Sequence, residues 1–410
     1  MEKVLEKLRS KGGTCKSVRA VCSGWRDMHD STRTSLLLAP GRFDFDRNEW
    51  KPFIGGAGGD HNLQDGEDAP KSSAWAKARA KAAKLAAPSV VSLVRRFPHL
   101  ELLALKGERF TNGDDGRFAT QLLPKLFVQT ALDGFIRLGS TATLTVLRLQ
   151  ACLVSLDAMK QLSNLPSLTS LDFARSFLPG HFGCCNRFPA GGLISPRQMM
   201  NTLGKLTGLR QLSLEDFGFY IAEGGGGPCH TIQLGEGVQY LSTLTALRSL
   251  NLKCSAGFTR AGLRTLCTMS SLTELNLRGC MASVWNSGSD GMLTLSGLTA
   301  LTSLNLKDTT SMVNAVSDAE LEVLSRLTAL KTLRVGATEE GSEVGARSFD
   351  TGTATKAGVE AMSTRLTNLT NLNVDGWLND QAMRALHSIP ALHALCVADK
   401  PDPAAFDWLA

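Results

Sequence analysis

The sequence predicts an α/β solenoid: short parallel strands alternating with short helices along a curved stack, preceded by a small helical segment. Three observations carry this reading. Leucine is scarce before residue 100 and abundant after it, with 8 of 63 leucines in residues 1–99 and 55 in residues 100–410. In that second part the pattern L-x-x-L-x-L returns ten times. The shorter intervals between copies, 23 to 29 residues, suit one strand-plus-helix unit each, stacked on the next.

The clearest copies are Leu144-Leu147-Leu149, Leu209-Leu212-Leu214, Leu247-Leu250-Leu252, Leu272-Leu275-Leu277 and Leu301-Leu304-Leu306. Altered copies begin at Leu100, Leu168, Leu330, Leu369 and Leu392, with Phe173, Val335, Val374 and Val397 at the last position of the final four. In L-x-L alternation the leucines point to one face and the intervening residues to the other. Such a unit cannot bury its apolar face alone, so it stacks on its neighbour. Leucine or methionine at helical spacing then predicts helices within 261–267, 319–324 and 381–386. Cys152 and Cys280 each stand three residues after the last leucine of their copy.

With these motifs in place, residues 100–400 resemble a leucine-rich-repeat protein. The turn cysteines resemble the cysteine-containing and ribonuclease-inhibitor-like types, which set Asn or Cys there. The resemblance implies a horseshoe with a concave parallel sheet, convex helices and a binding role. The repeat domain is expected over 76–410, with Phe406, Trp408 and Leu409 as a lid on its end.

Four intervals are long. Three carry insertions at 177–196, 218–235 and 336–356, each between a strand and a helix, so they are expected on one rim together with a shorter one at 281–291. The interval from Leu100 to Leu144 holds either a divergent repeat at Leu123-Leu126-Val128 or a longer helix.

Residues 1–40 read as a helical module, with Val4, Leu5 and Leu8 on one face and Val18, Val21, Cys22 and Trp25 on another. The string from Val18 to Met28 resembles the second half of an F-box, whose V-C-x-x-W-R core it carries at 21–26. The usual opening Leu-Pro is not in the sequence: either the module has degenerated, or the true start lies upstream. This resemblance implies a substrate-recognition subunit of an SCF-type ubiquitin ligase. Val4, Leu5, Leu8, Val18, Val21 and Trp25 would then meet or support a Skp-type adaptor, and the repeats would select a protein target. The alternative is a scaffold or inhibitor whose first helices only cap the solenoid, with Ser35 to Leu38 as an extra edge strand. Residues 41–75 are Gly-rich and acidic (Asp60, Asp65, Glu67, Asp68) and read as a linker. Residues 71–94 read as a helix with a basic first half.

Composition narrows the function. The net charge is +6 over 410 residues, too mild for a dedicated nucleic-acid binder. No apolar stretch has the length of a signal peptide core or a spanning helix, and ten cysteines without a CxxC pair read as reduced thiols of an intracellular protein, cytoplasmic or nuclear. Phosphate-cradle, zinc-protease and nucleophile-elbow motifs are missing from the sequence, so neither an enzyme nor a cofactor is expected. His181, Cys184, Cys185, Cys229 and His230 lie in two neighbouring insertions, but their spacing matches no strong zinc pattern. The chain is expected to be monomeric by itself.

Binding is expected on the sheet's open face together with the rim insertions. The residue between the last two core positions gives the column Ala104, Arg148, Asp172, Ser213, Asn251, Asn276, Asn305, Arg334, Asn373 and Cys396. One position after the last core residue come Lys253, Arg278 and Lys307 on three successive units. Strands about 4.8 Å apart place these cations over roughly 10 Å, with Arg334 continuing the row, a pattern suited to an acidic or phosphorylated peptide. Polar residues occupy that face in any case. If the row binds, changing Lys253, Arg278 and Lys307 to Glu is expected to abolish binding and leave the fold intact.

Overall fold

A computed structural model describes residues 35–38, 41–44, 49–52, 99–106, 108–111, 118–121, 143–150, 152, 154, 156–179, 196–220, 230–231, 233–258, 260–280, 294–309, 318–336, 354–375 and 380–396. Val4, Leu5, Leu8, Val18, Val21 and Trp25 lie outside them. So do residues 123–128, His181, Cys184, Cys185, Cys229, Phe406, Trp408 and Leu409. The chain divides into two compact units, Met1–Leu168 and Thr169–Ala410.

In the first unit, β1 (Ser35–Leu38) is an edge strand. Next come β2 (Gly41–Asp44) and β3 (Glu49–Pro52), an antiparallel pair. This hairpin stands where the composition reads as linker. The glycines and acids that give the linker signal begin at Gly55, whereas 41–53 holds Phe43, Phe45, Trp50 and Phe53. β4 (Leu102–Lys106) pairs in parallel with β1. β5 (Glu108–Thr111) and β6 (Phe118–Gln121) form a second antiparallel pair inside the long first interval. β7 (Val146–Gln150) pairs in parallel with β4, Leu103 opposite Leu147, and is followed by the helix Leu156–Leu162. Ala104, placed on the open face by the alternation, is instead buried.

The second unit begins with β8 (Ser170–Asp172), β9 (Phe177–Pro179) and β10 (Gln211–Ser213). β11 (Gly218–Tyr220), β12 (His230–Thr231) and β13 (Gln233–Gly235) follow. Then come β14 (Ser249–Asn251), β15 (Ala256–Phe258), β16 (Glu274–Asn276) and β17 (Ser303–Asn305). β18 (Thr332–Gly336), β19 (Asn371–Asp375) and β20 (Ala394–Cys396) complete it.

β8, β10, β14, β16, β17, β18, β19 and β20 form one parallel sheet in that order. Leu171, Leu212, Leu250, Leu275, Leu304, Leu333, Leu372 and Leu395 face one another in unbroken register. A slip of one residue would turn every one of them to water, so the leucine pattern alone specifies the pairing. All but Leu395 are buried. The chain is thus an α/β leucine-rich-repeat solenoid.

The turn after β8, β10, β14, β16 and β17 repeats in detail. Two residues past the last core position the backbone is left-handed, at Arg175, Asp216, Cys254, Gly279 and Asp308, with φ between 49° and 64°. Only one of these is glycine, although this region favours it. Their N–H groups donate to the next unit, Asp216 to Lys253 O and Cys254 to Arg278 O, both at 2.8 Å. The sheet's ladder therefore continues around the corner.

The following residue drops into the core: Ser176, Phe217, Ser255, Cys280 and Thr309 are all buried. Cys280 Sγ donates to Leu252 O at 3.0 Å and Cys152 Sγ to Leu105 O at 3.3 Å. Each sulfur thus satisfies a carbonyl of the unit before it, which is the physical role of the predicted turn position.

The return halves are short helices at Pro196–Leu203, Arg260–Cys267, Asp318–Ser325, Lys356–Ser363 and Asp380–Arg384. Glu236–Thr243, Thr294–Gly297 and Ala385–Ser388 are 3-10 segments. The three stretches predicted as helical fall on these elements. Asp318 ties two neighbouring helices together, accepting Thr355 N–H at 2.7 Å and Thr355 Oγ1–H at 2.8 Å while Thr355 caps its own helix through Gly358 N.

Gly204 marks another close approach. A Cβ there would lie 2.5 Å from Tyr240 O and 2.9 Å from Thr243 Oγ1. Because a backbone oxygen is in the way, Gly204→Ala is expected to cost about 2 kcal/mol or more of unfolding free energy. A urea titration of the variant checks this, and an unchanged midpoint would count against the packing described.

Of the four insertions, those at 177–196 and 218–235 meet, while 281–291 and 337–353 lie outside the described residues. β9 pairs in parallel with β11, which pairs antiparallel with β12, and β13 pairs with β15. Each of β9, β11 and β15 starts four residues past the last core residue of its unit, so the insertions at 177–196 and 218–235 leave from the same edge of their repeats. Among the described residues no group of His, Cys, Asp or Glu is arranged to hold a metal ion. No described helix is long and apolar enough to cross a membrane.

Candidate functional site

On the open face the asparagines of L-N-L do a structural job first. Asn251 Oδ1 accepts Lys253 N–H at 3.1 Å, Asn276 Oδ1 accepts Arg278 N–H at 3.1 Å, and Asn305 Oδ1 accepts Lys307 N–H at 3.2 Å. Asp172 does the same for Ala174 at 2.8 Å. These side chains close the turn that starts the left-handed corner. Asn251 also donates through Nδ2 to Ser213 Oγ and to Glu215 Oε2.

The predicted row of cations is largely compensated. Lys253 Nζ sits 2.8 Å from Glu215 Oε1, and Arg278 Nε 2.8 Å from Asp308 Oδ2. Burial pulls the Glu215 carboxyl upward, but Lys253, the Asn251 amide and Arg175 outweigh it and hold the group below its ordinary range. Lys307 is buried, at 9% exposure. Turning these three residues into Glu would set like charges beside Glu215 and Asp308 and bury a third, so that variant tests the fold as much as binding.

Sequence reasoning overlooked Glu215, which occupies the same position in its unit as Lys253 does in the next. Counting one residue past Leu214 finds it. Asp308, one position further along its corner, carries no comparable signal.

Beyond β17 the face changes. β18 and β19 run five residues each, with Val335 opposite Val374 and Gly336 opposite Asp375. Their chains go straight on where the earlier strands turn, so Asn373 builds no such side-chain turn, and Arg334 has no acceptor to build one. Arg334 is exposed and has no partner among the described residues. Asn373 Oδ1 is buried and has no hydrogen-bond partner among them.

Around these two residues lies a hollow of about 730 Å³, lined by Arg278, Asn305, Lys307, Thr332, Arg334, Asn371, Asn373, His393 and Cys396 over the backbone of β17–β20. A smaller one of about 280 Å³, lined by Asn251, Glu274, Asn276, Asn305 and Arg334 among others, adjoins it through Asn305 and Arg334. Arg148, in the first unit, is exposed.

No family model matches the chain, and no curated protein matches it. Among solved structures it is similar to internalin C2 of Listeria monocytogenes, at 16% identity and a TM-score of 0.37 over 66% of this chain and 84% of that one. It is similar to a leucine-rich-repeat protein of Leptospira interrogans, at 14% identity and a TM-score of 0.39 over 75% and 74%. A complex of TLR13 with ssRNA13 gives 17% identity and 0.39 over 76% of this chain and 41% of TLR13. The strand register described above, rather than these likenesses, carries the fold assignment.

Proposed function

We propose that this chain is a non-catalytic recognition module that binds a protein partner along the open face of its second unit. The observation that carries the reading is the contrast along that face. From β14 to β17 the asparagine oxygens close turns and Lys253 and Arg278 are held in ion pairs, whereas on β18 and β19 the Arg334 side chain and the Asn373 oxygen have no partner among the described residues and stand around a hollow. The thiols support a non-catalytic role. Burial raises Cys254, Cys267 and Cys280 above the ordinary thiol range, the reverse of what a nucleophile needs.

A photo-crosslinking amino acid at Asn371, on the open face, is expected to capture a partner in cells. The same group at Ala361, exposed on the helix side, is expected to capture none. Equal capture at both positions sinks the reading.

In its fuller form the proposal makes the chain the substrate-recognition subunit of an SCF-type ubiquitin ligase. Two things support this: the V-C-x-x-W-R string at 21–26, and the pairing of β1 with β4, which joins the segment after that string to the first repeat strand. The same β1 pairing is what a simple cap would show. A pull-down of the full chain with purified Skp-type adaptor separates the two. Retention lost in Val21→Asp and Trp25→Ala supports the ligase form; no retention by folded protein leaves the scaffold reading alone.

A further inference from the structure

We propose that the hollow over β17–β20 is a subsite for an anionic side chain on an extended protein segment. Arg334 would hold the anion, and Asn373 Oδ1 would accept a backbone N–H of the same segment. This rests on the protein-binding reading and names the chemistry of its partner.

Charge is the first argument. Arg278, Lys307 and Arg334 come from three successive units, and none of the described residues that line the hollow is Asp or Glu. The three differ in availability. Arg278 is tied to Asp308 at 2.8 Å, so it adds to the field without being free to move. Lys307 is only 9% exposed and already engaged, so it too contributes to the field rather than to the grip. Arg334 is exposed and unpartnered among the described residues, and its planar fork suits a bidentate anion.

The second argument is the Asn373 oxygen. A buried carbonyl oxygen left without a donor is costly. An anion has no hydrogen to give it, so the ligand must carry a donor as well as a negative charge. A peptide backbone beside an acidic side chain has both.

The third argument separates protein from nucleic acid. Single-stranded nucleic acid is held on aromatic stacking platforms along a basic groove. Among the described residues no Phe, Tyr or Trp lines this hollow, and Lys253 further along the face is paired with Glu215.

Carboxylate and phosphate side chains share this chemistry, and the test tells them apart. The probes are fluorescein-labelled hexapeptides with blocked termini, carrying two Glu, two phosphoserine or two Gln, together with hexauridylate. They are titrated by anisotropy against the full chain. The Glu or phosphoserine peptide is expected to bind roughly tenfold or more tighter than the Gln peptide, and the tighter of the two identifies the anion.

Arg334→Gln, an exposed change, is expected to remove most of that preference. Asn373→Ala is expected to weaken all three peptides by roughly two- to tenfold and to keep the preference. Lys205→Gln, on the helix side, should change nothing. The anionic peptide is also expected to slow maleimide labelling of the exposed Cys396 in the unaltered protein, which decides the matter if Asn373→Ala fails to fold.

Equal binding of acidic and Gln peptides, a preference untouched by Arg334→Gln, or hexauridylate binding as tightly with the same dependence on Arg334 would each overturn the proposal. Such a failure would leave the crosslinking result at Asn371 standing, so the two readings fail separately.

Discussion

Phe173→Ala is expected to lower the unfolding free energy by about 3–5 kcal/mol, the range for deleting a fully buried aromatic side chain. Phe173 is 0% exposed, and its ring centroid lies 5.3 Å from that of Phe217, at an interplanar angle of 36°. The two positions are not equivalent. Phe173 takes the last core place of its unit, where most units have Leu. Phe217 takes the buried corner place of the next, where neighbouring units have Ser, Cys or Thr.

Truncation at 173 therefore removes its own contacts and one wall of the space that Phe217 fills. Phe173→Leu, which restores the common residue, should cost much less. A double-mutant cycle with Phe217→Leu should show coupling of about 0.5–1.5 kcal/mol. Urea titrations followed by circular dichroism measure all of these. A loss under about 1 kcal/mol for Phe173→Ala would mean that the pair is not packed as described.

The second large effect is on alkaline stability. Burial pushes the Cys267 thiol up to about 11 and the Cys280 thiol up to about 12, from an ordinary 9.0. A group whose folded pKa is raised contributes stability that is fully present below the unfolded pKa and lost as pH rises through the folded one. Below pH 9 both states keep these protons. From there to about pH 11 the unfolded chain releases protons that the native chain retains, so the native state binds more and stability falls with pH.

Each thiol contributes a slope of up to about 1.4 kcal/mol per pH unit. The pair together should give up to about 2.7 kcal/mol per unit between pH 9 and 11. Unfolding free energies at pH 8, 9 and 10 measure the slope. The double variant Cys267→Ala, Cys280→Ala should be less stable at pH 8, since it loses packing and the Cys280 bond to Leu252 O. It should also show a flatter pH dependence; an identical slope in both proteins would refute the assignment.

The repeats could be read in one dimension because their specification is one-dimensional. A strand that buries every second residue needs leucine at fixed positions, and a partner strand with the same positions aligns in only one register. The middle leucines from Leu171 to Leu395, the corner cysteines 152 and 280, and the three helical stretches therefore follow from counting along the chain. The asparagines of L-N-L are equally visible, yet their work is misjudged from sequence. Alternation puts Asn251, Asn276 and Asn305 on the open face, but only the backbone path two residues on shows their oxygens closing the turn.

The state of the binding face belongs to a different class of information. Glu215 and Lys253 are 38 residues apart, and Arg278 and Asp308 are 30 apart. Whether such charges meet depends on how successive units stack and on insertions of unequal length between them. The hollow depends on something subtler still. β18 and β19 hold on to each other for two residues more than β16 and β17 do, and this carries Asn373 past the point where its oxygen would have closed a turn, while Arg334 has no acceptor to close one. Strand length of that kind is a property of the pair, settled by the contacts of Val335 with Val374 and Gly336 with Asp375 across the sheet. Residue order names the groups that stand on the face; the stacking of one unit on the next determines which of them remain open to a partner.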